Sequence, residues 1–284
     1  MTHPALASIL EGFAPTATTF IVTIYGDVVV PRGGVLWMGN VVELCAGVGI
    51  SESLARTAVS RLVAAGRLVG TRQGRRSFYR LADPSREEFA EAAKRLYGPP
   101  PQSQDWFILH APELSDDEAR RAGYGAMGAG TFLLPGWMRP LPGMLFRAAP
   151  LARIDGLAAR LWDLDGLAGE YQAMLDMFGP AARLLGEGGA IGGLDALVLR
   201  LALVHVFRRI LLRDPELPAA ALPAAWPGLR ARSLFADLYP RLSQTADSFI
   251  GAQLEGEAGI LAAGTVETQR RLTSLTTGDR TELV

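Results

Sequence analysis

The chain has 284 residues, a hydrophobic fraction of 49%, a formal net charge of −1 and one cysteine. That size and apolar content suffice for substantial cores in two or three domains, and a lone Cys45 excludes an intrachain disulfide framework and fits a reducing compartment. No basic n-region precedes an apolar run at the N-terminus, so no signal peptide is read, and the longest apolar stretch, Ile191–Leu212, carries Asp195, Arg200, His205, Arg208 and Arg209, charges too costly for lipid. The expectation is a soluble cytoplasmic protein with a buried helix there.

Residues 1–15 lack periodicity and read as a loose lead. Thr18–Val30 is β-branched and by propensity a strand. The same place suits a first helix, and the reading leans that way. Pro31-Arg32-Gly33-Gly34 is a turn. Asn40 then stands as a cap, with Glu43 three residues on, before Val41, Leu44, Cys45 and Val48 at helical spacing. Cys45 lies on that apolar stripe, where a buried small hydrophobe is a better reading than a reactive thiol.

Gly49–Leu81 is the most informative stretch. Ser51 is a natural N-cap, and Leu54, Ala55, Ala58, Val59 and Leu62 share one helix face. Ser53, Arg56, Thr57 and Ser60 share the opposite face, flanked by Arg61. Gly66 stops the helix, and Leu68–Arg72 and Arg76–Leu81 read as strands about a turn at Gln73-Gly74. Residues 51–80 hold seven arginines (56, 61, 67, 72, 75, 76, 80) against one acid, Glu52, a net of +6. The chain as a whole is at −1 and its only lysine is Lys94, so arginine itself is compositional, but the clustering is local. A small-polar and guanidinium helix face followed by a basic hairpin suits a winged helix-turn-helix on DNA.

Ser85 with Glu88 reads as a capping box before the stripe Phe89, Ala92, Ala93 and Leu96, and Gly98-Pro99-Pro100-Pro101 closes that helix as a stiff spacer. Residues 105–140 read β-α-β: Trp106–His110, a helix capped at Ser115-Asp116-Asp117-Glu118, and Thr131–Trp137, with Met144–Arg147 a third strand. From Pro150 the pattern is helical. Leu164, Leu167, Ala168, Tyr171, Met174, Leu175 and Phe178 keep helical spacing, Leu194–Leu212 is apolar nearly all round, and Leu234, Phe235, Leu238, Leu242 and Phe249 mark a last long helix. Beyond about Gly256 the chain is expected to fray.

No catalytic set emerges. His3, His110 and His205 have no His or Cys at metal-ligand spacing, and His205 reads as a hydrogen-bonded core histidine. Asp163 and Asp165 bracket a helix start, where capping explains at least one. The glycine-rich connector Gly186–Gly193 lacks the preceding strand and following Lys-Ser/Thr of a phosphate loop. No metal and no cofactor is expected.

The run PRGGVLWMGNVVELCAGVGISESLARTAVSRLVAAGRL…GRRSFYRL (31–81) resembles the N-terminal domain of the PaaX-like repressors of aromatic-acid catabolism. LWDLDGLAGEYQAML (161–175) and FRRILLRDPELPAAALPAAWPGLRARSLFADLY (207–239) agree with it. The resemblance implies a helix-rich α+β chain in three parts: a winged helix-turn-helix with its following helix (1–97), a small ferredoxin-like middle domain (98–150) and a helical C-terminal domain with a frayed tail (151–284). It implies a homodimer that represses an aromatic-degradation operon and releases operator DNA on binding an aryl-CoA thioester such as phenylacetyl-CoA. The middle domain is abbreviated, since Pro140–Gly143 leaves no room for a second helix. Its first strand ends His110-Ala111-Pro112, without the acid that related CRISPR-associated nucleases use, which argues against nuclease chemistry.

On that reading Ser53, Arg56, Thr57 and Ser60, with Arg61, face base edges, and Arg72, Arg75 and Arg76 hold phosphates. A CoA ester needs cations and an apolar slot; Arg208, Arg209 and Arg213, with His205, near Trp162 and Trp226, are its candidates. The alternative is an enzyme on CoA thioesters or nucleic acid, for which no nucleophile or metal set is visible.

Overall fold

The computed structural model describes residues 4–278; His3, with the rest of residues 1–3 and 279–284, lies outside the described residues. The first helix, α1 (Pro4–Glu11), buries Leu6 and Ile9, so from Pro4 to Glu11 the expected loose lead is helical. Thr16 accepts from the Thr19 amide and starts α2 (Ala17–Ile24), which continues as a π turn (Tyr25–Val29) and a 3-10 turn (Val30–Arg32). The β-branched run is therefore helical. Phe20, Ile21, Ile24, Tyr25, Val28 and Val29 are buried, and that packing overrides strand propensity.

Gly33 and Gly34, at φ 99° and 81°, turn the chain into β1 (Val35–Trp37), a strand absent from the sequence reading. It leads into α3 (Met38–Ala46), whose N-cap is Trp37; Asn40 sits inside the helix, buried, and is not the cap. Next come α4 (Glu52–Ala64), β2 (Leu68–Gln73) and β3 (Arg76–Leu81), in an antiparallel sheet of order β1-β3-β2. A 3-10 turn at Asp83–Ser85 precedes α5 (Arg86–Tyr97). The expected capping box does not form. Ser85 is helical in backbone, its buried hydroxyl has no hydrogen-bond partner among the described residues, and Glu88 instead pairs with Arg67 at 2.6 Å.

β4 (Trp106–His110), α6 (Asp116–Arg121), β5 (Gly125–Gly128), β6 (Thr131–Pro135) and β7 (Met144–Ala148) follow. The capping box at Ser115 and Glu118 is present, and the strands form an antiparallel sheet of order β5-β6-β4-β7, β5 being a strand that the sequence reading missed. Leu109, Phe132 and Leu134 pack with Ala119 and Tyr124 on one face of that sheet.

The remainder is α7 (Asp155–Leu161), α8 (Leu164–Gly186), α9 (Gly193–Leu211), α10 (Pro227–Gln253), the two-residue strands β8 (Glu255–Gly256) and β9 (Gly259–Ile260), and α11 (Val266–Gly278). Asp163 accepts from the Gly166 amide at the head of α8, its expected capping role. The frayed tail is corrected as far as residue 278: Leu261, Thr268, Arg271 and Leu275 are buried. No helix among the described residues is long and apolar enough to cross a membrane.

Contacts divide the chain into two compact units, one of 1–98, 174–208 and 232–284, the other of 99–173 and 209–231. The stretch 98–150 thus falls almost wholly in the second unit, while 151–284 contributes to both.

Candidate nucleic-acid interface

In the first unit, Ser51 caps α4 by accepting from the Leu54 amide, and Gly66, at φ 65°, ends it. The Arg67 amide bonds Leu62 O and the Gly66 amide bonds Val63 O, the paired bonds that let a helix stop on glycine. Ala55, Ala58, Val59 and Leu62 face inward, but Leu54, expected with them, is 58% exposed. Ser53, Arg56, Thr57, Ser60 and Arg61 are all exposed. Thr57 Oγ1 donates back to Ser53 O at 2.8 Å, and Arg56 is held by Glu52 one turn earlier at 2.7 Å, a contact between two half-exposed groups that salt and solvent weaken.

The hairpin turn falls one residue later than its sequence suggests. Gln73 pairs with Arg76, leaving Gly74-Arg75 as the two-residue loop, with Gly74 at φ 59° as the first position of a II′ turn requires. Arg75 therefore stands at the tip. Arg72 donates to Gly74 O, and neither it, Arg75 nor Arg61 makes an ion pair among the described residues. Arg76 differs: it pairs with Glu255 and its guanidinium lies 4.8 Å over the Trp37 ring. Arg80 lies 3.5 Å from Asp83. The free cations are thus Arg61 on the helix and Arg72 and Arg75 on the hairpin.

Beneath this surface lies a buried ionic lattice that the sequence reading missed. Asp27, on the π turn, accepts from Arg200 Nε at 3.0 Å, Tyr97 at 2.9 Å and Tyr239 at 2.8 Å. Asp247 accepts from Arg200 at 2.6 Å and Arg32 at 2.7 Å. Arg271 donates to Gly26 O and lies over Tyr97, and Arg32 donates to Val28 O, so arginines serve two carbonyls of the π turn. Burial pushes the Asp27 carboxyl up, but Arg200, Arg271 and the Tyr239 hydroxyl outweigh it and hold it below the usual carboxylate range. Cys45 lies fully buried in the same unit, its thiol pushed up to about 12 by burial.

The six effector candidates fall in different units. His205 and Arg208 belong to the first, Trp162, Arg209, Arg213 and Trp226 to the second. His205 is the expected core histidine, its Nδ1 3.0 Å from Thr23 Oγ1 and its ring edge-on to Phe13. Arg208 reaches Thr19 O at 3.5 Å and keeps a buried Nε that has no hydrogen-bond partner among the described residues. Arg213 pairs with Glu170, and Arg209 lies 3.9 Å from the same carboxylate. Trp162 donates to Gly123 O, and Trp226 packs edge-on to Tyr171, whose hydroxyl donates to Asp214. Among the described residues no group of His, Cys, Asp and Glu is placed to hold a metal.

Comparison with known proteins follows the same outline. Residues 16–85, which include α2 to β3, match the family described as PaaX-like protein, and residues 162–252 match the PaaX-like protein C-terminal domain. The chain is 30% identical over 279 residues to the transcriptional repressor PaaX of Escherichia coli, with 87% of each chain covered. Its fold is shared with an uncharacterized protein of Mycobacterium tuberculosis, at TM-score 0.52 and 24% identity, over 82% of this chain and 98% of the other. With that identity sustained along nearly its whole length, the chain belongs to the PaaX-like family.

Proposed function

We propose that this protein is a DNA-binding transcriptional regulator of the repressor kind. In this reading α3, α4 and the β2–β3 hairpin are a winged helix-turn-helix: α4 enters the major groove and the wing lies along the backbone. The observation that carries it is the exposed α4 face of Ser53, Arg56, Thr57, Ser60 and Arg61 beside a hairpin whose Arg72 and Arg75 have no carboxylate partner among the described residues. Unpaired guanidinium groups on a narrow, exposed ribbon suit phosphate contact, and short polar side chains suit base edges. The similarity to a transcriptional repressor supports the same reading over that of an enzyme on CoA thioesters or nucleic acid.

The finer parts of the proposal are a homodimer on a two-fold operator of an aromatic-acid catabolic operon, an abbreviated ferredoxin-like unit around the β5-β6-β4-β7 sheet, and release by an aryl-CoA thioester. They are supported by membership of the family. Fluorescence anisotropy on the DNA upstream of the protein's own gene tests the main reading. Tight binding that weakens with salt and exceeds binding to unrelated DNA is expected; equal, salt-independent affinity for both would reject it. Calorimetry with phenylacetyl-CoA tests the effector, and absence of heat would reject that part.

A further inference from the structure

We infer that Arg76 is a positioning residue, clamped by a carboxylate strap at 255–260 that braces the wing, and that the phosphate contacts fall to Arg72 and Arg75. The inference deepens the DNA-binding reading and rests on it only for its consequences at DNA.

Strand register separates the two kinds of arginine. Gln73 pairs with Arg76, Thr71 with Phe78, and Trp37 with Phe78, so these side chains share one face of the sheet. Arg72 pairs with Ser77 and points to the other face. The strap lies on the first face. Glu255 holds Arg76, while Glu257 accepts from Gln73 Nε2 at 2.9 Å and Thr71 Oγ1 at 3.5 Å. Trp37 closes the other side of the Arg76 guanidinium.

The strap is itself fixed at both ends by buried side chains. Asn40 Oδ1 accepts from the Glu255 amide at 2.8 Å, and its Nδ2 donates to Gln253 O at 3.3 Å. Arg32 donates to Ala262 O at 3.0 Å and Ala263 O at 3.2 Å. β2 beyond Leu68 is exposed along its length, and past the Trp37–Phe78 pair, where β1 ends, the hairpin is a two-stranded ribbon, which without a brace is marginal in water. A frayed wing would have to be ordered on the DNA, at a loss of affinity. Glu255 is neutralised by Arg76, and Glu257 is held by Gln73 and Thr71 on the face opposite Arg72, so the strap sets the ribbon's angle while Arg72 stays exposed beyond Leu68.

Two measurements decide it. Hydrogen–deuterium exchange compares the full-length protein with the Glu255→Gln/Glu257→Gln variant. Amides of 68–81 should exchange on the order of five- to tenfold faster while those of α9 stay unchanged; unchanged wing amides overturn the proposal. On operator DNA, Arg76→Glu should lose affinity and Arg76→Glu/Glu255→Arg should regain it to within about twofold, with the wild-type salt slope. A swap variant as weak as Arg76→Glu alone, with a shallower slope, assigns Arg76 to phosphate and also overturns it. Should the wild-type protein bind no DNA, the DNA reading fails while the exchange measurement still decides the strap.

Discussion

Arg200 Nε lies 3.0 Å from Asp27 Oδ2, and the two side chains, separated by 173 positions in sequence, are both sealed from solvent. The pair ties the π turn to α9, and Asp247 extends it through Arg32 to the carbonyls at the end of the strap. A buried charge pair adds little over a well-packed apolar replacement, yet breaking it from one side strands a charge.

Arg200→Met should therefore destabilise the protein by about 3–5 kcal/mol, since Asp27 and Asp247 would both lose their shared guanidinium. Urea unfolding followed by circular dichroism measures it. A loss within experimental error of zero would show that the lattice relaxes around the missing cation.

The same lattice fixes the response to acid. The Asp27 carboxyl is held below its ordinary value of 3.8, so its contribution to stability is complete above that value. It is lost as pH falls from there through the lower folded value, because the unfolded chain then binds the proton more tightly. The melting temperature should fall along that limb, and Asp27→Asn should start lower and fall less steeply. Parallel limbs for the two proteins would place the acid sensitivity elsewhere.

Legibility followed the range of the interaction. Ser51, the Gly66 stop and the two strands of the wing are settled by neighbours within a turn or a strand, and residue spacing reports them. Ser85 misled because its capping partner Glu88 had a stronger offer from Arg67. Asp27, Arg32 and Arg200 were invisible as a set: a residue in an apolar run, a turn residue and a charge that spoiled a membrane span. What unites them is packing between segments far apart, which no local period encodes. The strap was misread for the same reason: residues 255–260 hold two glycines and two glutamates and read as loose, but Asn40 and Arg32 hold the chain at its ends.

Cys45 should be inert. Its thiol is buried and pushed up to about 12, so at about pH 8 its thiolate fraction is lower than that of a free cysteine by about three orders of magnitude. Labelling with a chromogenic disulfide reagent should be negligible in the native state and become fast once urea unfolds the first unit. Burst labelling of the native protein would mean that α3 opens readily.

On the proposed DNA-binding reading, the contacts separate by kind of arginine. Arg56 lies on the exposed α4 face with only Glu52 as a partner among the described residues, a half-exposed pair that a base edge can displace at small loss. Arg56→Ala should cost about 1–3 kcal/mol on the operator and relax preference at one base pair. Arg75, at the tip of the β2–β3 turn, has no carboxylate partner among the described residues and on that reading meets phosphate alone. Arg75→Ala should weaken operator and unrelated DNA alike and flatten the salt slope by about one unit. Anisotropy titrations of both variants on both DNAs, at several salt concentrations, give the two signatures directly. If both variants bind operator as the wild type does, α4 and the wing are not the surface that meets DNA.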